Sequence, residues 1–163
     1  GAAGGLGGAA AAERHFANGP GTLLLVSSAS LLEFGRLCGL EVPADRFRAN
    51  LEVDYEPAFA EAAWRRGQAV QLGAGRGATV LEAAGRCVRC QAVDINPEDA
   101  ASTGPSLLAA LATVRPGGAI GETSGPTFGV LLRRRGGAAG AAAAGPQVLC
   151  VGMPVYTDDG GAG

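Results

Sequence analysis

Apolar residues run unbroken from Leu23 to Val26, a short run of strand character, and a first strand is predicted over Thr22–Val26. Ser30 stands before Leu31-Leu32-Glu33 in a capping-box arrangement, and Gly39 suits a C-cap, so a two-turn helix is predicted over Leu31–Cys38. From Phe47 to Asp54 the chain alternates. Phe47, Ala49, Leu51 and Val53 fall on one face of a predicted strand, and Arg48, Asn50 and Glu52 on the other. Ala58 to Trp64 suits one or two helical turns. Gln68–Leu72 and Ala78–Ala83 read as strands joined by the turn Gly73-Ala74-Gly75-Arg76-Gly77, with Arg86–Ile95 continuing as extended chain. Thr103-Gly104-Pro105 opens a helix over Ser106–Arg115 that Pro116-Gly117 stops. Phe128–Arg134 and Val148–Val151 are the last predicted strands, followed by Pro154-Val155-Tyr156. Short strands at close spacing with isolated helices predict a mainly β or α+β fold, barrel-like in its strand content. A doubly wound sheet would need a regular βα alternation that is missing.

Composition narrows the chemistry. Ala and Gly number 33 and 28 of 163 residues, so much of the apparent hydrophobicity is small-residue filler around a modest core. Residues 1–12 and 136–145 are Gly/Ala tracts with little surface to bury, and a Gly-rich tail closes the sequence. We therefore expect a disordered leader over 1–21, one folded domain over 22–157 with a flexible insertion at 136–145, and a loose end over 158–163. All 13 basic residues are Arg, which excludes a lysine Schiff base with pyridoxal phosphate and a P-loop. The single histidine, His15, leaves no room for a histidine triad or a polyhistidine metal site. A net charge of −2 gives no bulk attraction to nucleic acid or an anionic membrane. With no signal-like start, no spanning run and a Cys-x-x-Cys pair, the sequence reads as intracellular and cytoplasmic.

Two strings carry candidate chemistry. In Cys87-Val88-Arg89-Cys90, an extended backbone sends positions i and i+3 to opposite faces, so the two thiols cannot chelate one ion. One faces a pocket and the other packs. Arg86 and Arg89 beside them would favour a thiolate, which makes a single reactive or metal-binding thiolate the sharper reading and a structural cysteine the plainer one. In Arg46-Phe47-Arg48-Ala49-Asn50, the predicted strand sets Arg46, Arg48 and Asn50 on one face. Two guanidinium groups and an amide in a row can hold a phosphate and read a heterocycle edge. The same face could instead be solvated and paired with Asp45, Glu52 or Asp54. Arg133-Arg134-Arg135 reads as a solvated strand end.

These pieces, in order, resemble a known family. Leu23-Leu24-Leu25-Val26-Ser27-Ser28-Ala29-Ser30-Leu31-Leu32, then Arg46–Asn50, Phe59 and Trp64, Arg86-Cys87-Val88-Arg89-Cys90-Gln91 with Asp94, Pro126-Thr127-Phe128-Gly129, and Val151-Gly152-Met153-Pro154-Val155 resemble the MOSC domain over residues 22–157. The Arg46–Asn50 and Cys87–Gln91 strings look closest to the C-terminal domain of eukaryotic molybdenum cofactor sulfurase. The resemblance implies a MOSC-type β-barrel with a few short helices that binds the molybdopterin form of molybdenum cofactor. It assigns the molybdenum-binding or sulfur-handling thiol to Cys90, pterin and phosphate contacts to Arg46, Arg48 and Asn50, and a helix start facing the same site to Ser30.

It further implies part of a sulfurtransferase that does not turn over alone. Sulfur would come from a pyridoxal-phosphate-dependent desulfurase domain expected upstream, and molybdenum hydroxylases of the xanthine dehydrogenase and aldehyde oxidase type would be the acceptors. An amidoxime-reducing oxidoreductase and a non-catalytic interaction domain are the alternatives. The sequence departs from the family where a longer segment separates Asp94 from Thr103-Gly104, and where Met153 replaces a usual acidic residue. A β-rich half that normally precedes the domain is not found in these residues.

Overall fold

A computed structural model describes residues 21–102, 104–114, 125–135 and 149–158. The predicted leader up to residue 20, the Gly/Ala insertion, Thr103, Arg115 and the end of the tail lie outside the described residues. Six strands form one sheet: β1 (Thr22–Ser27), β2 (Leu51–Val53), β3 (Ala69–Leu72), β4 (Thr79–Val88), β5 (Thr127–Arg134) and β6 (Val155–Thr157). Their order across the sheet is β2-β1-β5-β4-β3-β6, antiparallel except for the parallel β1–β2 pair. Two helices, α1 (Ser28–Cys38) and α2 (Leu107–Val114), cover one face. The fold is mixed α+β, a sheet curled into half a barrel. The curl brings the two outer strands towards each other, and the Tyr55 hydroxyl just after β2 lies 3.5 Å from Thr157 Oγ1 on β6.

The sheet separates two apolar cores. On the helix side Leu24, Val26, Phe34, Phe47, Cys87, Leu111 and Phe128 pack together, with Phe47 stacked on Phe128 at 4.2 Å between centroids. The concave side holds Leu25, Val70, Leu72, Leu81, Ala83, Val130 and Leu132. Strand β5 feeds both cores, and its alternation breaks in the middle. Phe128 and Leu131 face the helices, whereas Val130 and Leu132 face the hollow. The break falls at Gly129, where φ is +76° and the pairing with β4 shifts register between Arg86 and Val88. This is a β-bulge, and an extra residue there turns the following side chains to the other face.

Four predicted elements are corrected. The α1 helix starts three residues early, because Ser27 rather than Ser30 is the N-cap: its Oγ accepts the Ser30 N–H at 3.4 Å. Glu33 does not reach back to close a capping box but pairs with Arg36 at 2.7 Å. The predicted Phe47–Asp54 strand shrinks to β2, since Ala44–Phe47 forms a 3-10 turn that ends on Arg48 in the left-handed region (φ 53°, ψ 42°). Arg46, Arg48 and Asn50 therefore do not share a strand face. Extended chain from Arg86 stops at Val88, and Gln91–Asp94 is a second 3-10 turn. Leu149–Val151 form no strand; the last one is β6, after the Pro154 that was expected to follow it. Asp158, assigned to the loose end, still donates its N–H to Ala69 O at 3.1 Å.

Gly129 gives the first prediction. A Cβ there would sit 2.6 Å from Leu25 O and 2.9 Å from Leu24 Cδ1, on a backbone that L side chains rarely adopt. Gly129→Ala should lower stability in urea unfolding by at least about 2 kcal/mol, from overpacking plus the left-handed penalty. Gly77→Ala, which meets nothing within 4 Å, should stay within about 0.5 kcal/mol of the parent.

Candidate functional site

Ser30 has a different task from the predicted one. It is fully buried, donates its hydroxyl proton to Glu61 Oε2 at 2.9 Å and accepts the Phe59 N–H at 2.7 Å. Ser27 Oγ donates to Tyr55 O at 2.6 Å, and Ser28 Oγ reaches Asp54 at 3.4 Å. The start of α1 is thus a clasp that ties down residues 54–61. Ser30 is spent on that clasp and does not join the other predicted site residues. Ser30→Ala would leave the buried Glu61 carboxylate short of a donor, and we expect urea unfolding to show a loss of about 1–3 kcal/mol. The alkylation rate of Cys90 should stay unchanged in that variant.

Of the other four predicted residues, Arg48 and Asn50 share a cleft that Cys90 does not line, while Arg46 and Cys90 lie where the Ala44–Phe47 turn meets the Gln91–Asp94 turn. Arg46 joins the two: its Nε donates to Val93 O at 3.1 Å and its NH2 to Asp94 O at 3.0 Å. Asp94 in turn holds the start of α2, accepting the Leu108 N–H at 3.0 Å and the Ser106 hydroxyl at 2.8 Å. The longer segment between Asp94 and residue 104 is therefore closed by this carboxylate. Asn50 accepts the Leu24 N–H on Oδ1 at 2.7 Å and donates its own N–H to Leu24 O at 2.9 Å. Its side-chain NH2 has no protein partner among the described residues. Arg48 is exposed, and its guanidinium has neither an ion pair nor a hydrogen bond there.

Arg48 and Asn50 line a cleft of about 1050 Å³ at the open seam of the half barrel. Leu51 and Val53 of β2 form one wall, and Leu72, Val155 and Met153 the other. Such a volume suits a cofactor-sized ligand. Met153, noted for replacing an acidic residue, is part of this wall, and its Sδ accepts the Cys150 N–H at 3.3 Å. Cys150 was not singled out from the sequence and lines the cleft as well. Nothing in its neighbourhood along the chain marks it, because loop folding alone brings it there.

The two thiols of the Cys-x-x-Cys pair part as the extended geometry requires. Cys87 is buried and Cys90 exposed. Both flanking arginines turn away from Cys90. Arg86 Nε donates to Ala62 O at 2.8 Å, while Arg89 NH1 donates to Cys87 Sγ at 2.8 Å. Burial pushes the Cys87 thiol above its ordinary value, and the Arg89 charge only partly offsets this. Cys87 is a protonated core residue held by a cation, and Cys90 is the thiol open to a ligand. The inward turn of Arg89 was legible: on an extended backbone it shares a face with Cys87. Among the described residues no three His, Cys, Asp or Glu side chains gather around a common point for a metal ion. A metal at Cys90 would bring most of its own ligands.

The family model for the MOSC domain matches residues 12–154. The chain belongs to the MOSC family. This family is linked to molybdenum cofactor binding, and the match begins ten residues before the stretch that resembled it by motif. No curated protein matches the chain. No helix among the described residues of this MOSC domain is long and apolar enough to cross a membrane.

Because the raised Cys87 thiol keeps its proton more tightly in the folded chain, its contribution to stability is present at neutral pH. It falls as pH rises past the unfolded thiol value, above about pH 8.5. We expect urea midpoints to decline above that pH in the parent and to decline less in Cys87→Ala. Iodoacetamide at pH 7.5 should modify Cys90 and Cys150, and Cys87 only after denaturation, as read by peptide mass spectrometry.

Proposed function

We propose that this MOSC domain holds the molybdopterin form of molybdenum cofactor as the C-terminal part of a molybdenum cofactor sulfurase. The observation that carries this reading is an exposed thiol, Cys90, on a segment packed against the turn that presents the unpaired Arg48 guanidinium to a wide cleft. The residues present fit the group. A soft thiolate suits molybdenum already held by dithiolene sulfurs, and a free guanidinium suits a phosphate. Bound there, the cofactor would supply a metal centre able to carry a terminal sulfido ligand.

In this reading Cys90 anchors the metal end, Arg48 binds the phosphate, and Asn50 donates its free NH2 to the pterin edge. Arg46 acts one step back by fixing the carbonyls of Val93 and Asp94. The Ser30 clasp keeps residues 54–61 against α1. The chain has no lysine, so the pyridoxal-phosphate chemistry that would mobilise sulfur belongs to a separate desulfurase domain. Molybdenum hydroxylases would receive the sulfurated product.

The test is the molybdenum and pterin content of the chain purified from a cofactor-producing host. The parent should carry both in near-equal amounts with protein. Cys90→Ala should lose the metal, and Arg48→Ala should retain about ten- to a hundredfold less pterin, the value of one charge-assisted contact. A parent free of both, or a Cys90→Ala variant that loads like the parent, would reject the proposal.

A further inference from the structure

Arg89 is 8% exposed, a buried cation with no carboxylate partner among the described residues. Its NH2 donates to Phe47 O at 2.6 Å and its NH1 to Cys87 Sγ at 2.8 Å, and its guanidinium carbon lies 5.5 Å from the Phe47 ring centroid. Nε is buried with no hydrogen-bond partner among the described residues. An unpaired buried charge and an orphaned N–H both cost stability. As a mere brace between two loops, Arg89 would be a poor choice.

The choice makes sense at the Phe47 carbonyl. That carbonyl belongs to the peptide joining Phe47 to Arg48, and a hydrogen bond to it fixes the plane of that peptide. Arg48 follows in the left-handed region, which costs a non-glycine residue about 1–2 kcal/mol. The Arg48 and Ala49 N–H groups close the turn onto Asp45 O at 2.8 Å and Ala44 O at 3.5 Å. At its other end Arg89 is pinned by its own N–H to Pro126 O at 2.8 Å, directly before Cys90. One residue thus links the strand end that carries the thiol to the turn that carries the free guanidinium.

We propose that Arg89 is a positioning residue that acts through the Phe47 carbonyl, holding Arg48 in its left-handed conformation so that its guanidinium, at the edge of the cleft, can engage a phosphate-bearing ligand. The geometric half stands alone, and the ligand half rests on the cofactor reading above.

The experiment uses the whole chain as Arg89→Lys, Arg89→Met, Arg48→Ala and the double variant Arg48→Ala/Arg89→Lys. Lysine keeps the charge but cannot reach both acceptors, and it serves if the Met variant fails to fold. Amide hydrogen exchange at Arg48 and Ala49 should rise at least about tenfold in Arg89→Lys, with the β3–β4 amides within about twofold of the parent. Pterin retained after purification should fall about tenfold in Arg89→Lys, and the double variant should retain no less than Arg48→Ala alone, because both changes remove one contact. Unchanged exchange at Arg48, a rise spread over the whole sheet, or additive losses in the double variant would overturn the proposal. If the parent retains no pterin, the cofactor reading falls, and exchange at Arg48 and Ala49 alone decides the role of Arg89.

Discussion

Phe47 stacks on Phe128 with their rings 12° from parallel, and this contact makes a site out of a sheet. Phe128 belongs to β5, a central strand, whereas Phe47 ends a short turn with little backbone pairing of its own. Burying an aromatic ring of this size is among the largest single contributions a small core can make. The stack, with Phe34 and Phe59 edge-on around it, presses the turn against the sheet. Once Phe47 is fixed, its two neighbours have nowhere else to go. Arg46 points along the 91–94 turn and Arg48 out to the cleft. Apolar packing supplies the force, and hydrogen bonds to carbonyls supply the orientation.

Division of labour among the arginines follows from this. Four of them divide three tasks. Arg46 and Arg86 satisfy backbone carbonyls, Arg89 spans a thiol and a carbonyl, and Arg48 is left free. The planar fork of guanidinium lets one side chain serve two acceptors at once, which an ammonium does poorly. A chain without lysine has only this residue for both tasks. It builds the frame and the ligand contact from the same chemistry.

Much of this was legible in the sequence where local rules act alone. The unbroken Leu23–Val26 run does form a strand, the glycine turn at 73–77 does join β3 to β4, and the extended run through Cys87 does separate the two thiols. The MOSC resemblance carried the fold class. The errors arose where distant residues decide. Residues 47, 49, 51 and 53 alternate in polarity as a strand would, yet Phe47 is called inward by Phe128, eighty-one positions later, and the backbone coils to let it. Nothing in the side chain of Arg48 announces a left-handed conformation. Three serines compete to cap α1, and the choice falls to Ser27 because Glu61 and Phe59 claim Ser30. The switch of faces in β5 hides in a glycine that reads as any other.

The place of β5 in the sheet also governs the order of assembly. It lies between β1 and β4, although it follows every other strand but β6 in the chain. Before it emerges from the ribosome, the growing polypeptide holds two separate fragments: β1 with α1 and β2, and the β3–β4 hairpin. Each has a bare, apolar strand edge and no mutual contact through the sheet. Joining them means closing a loop of about a hundred residues between β1 and β5, the slow kind of step in folding. During that interval the exposed edges of β1 and β4 are open to strand exchange with neighbouring nascent chains. A single late strand therefore sets both when this domain becomes whole and how long it is vulnerable to a holdase-type chaperone or to aggregation.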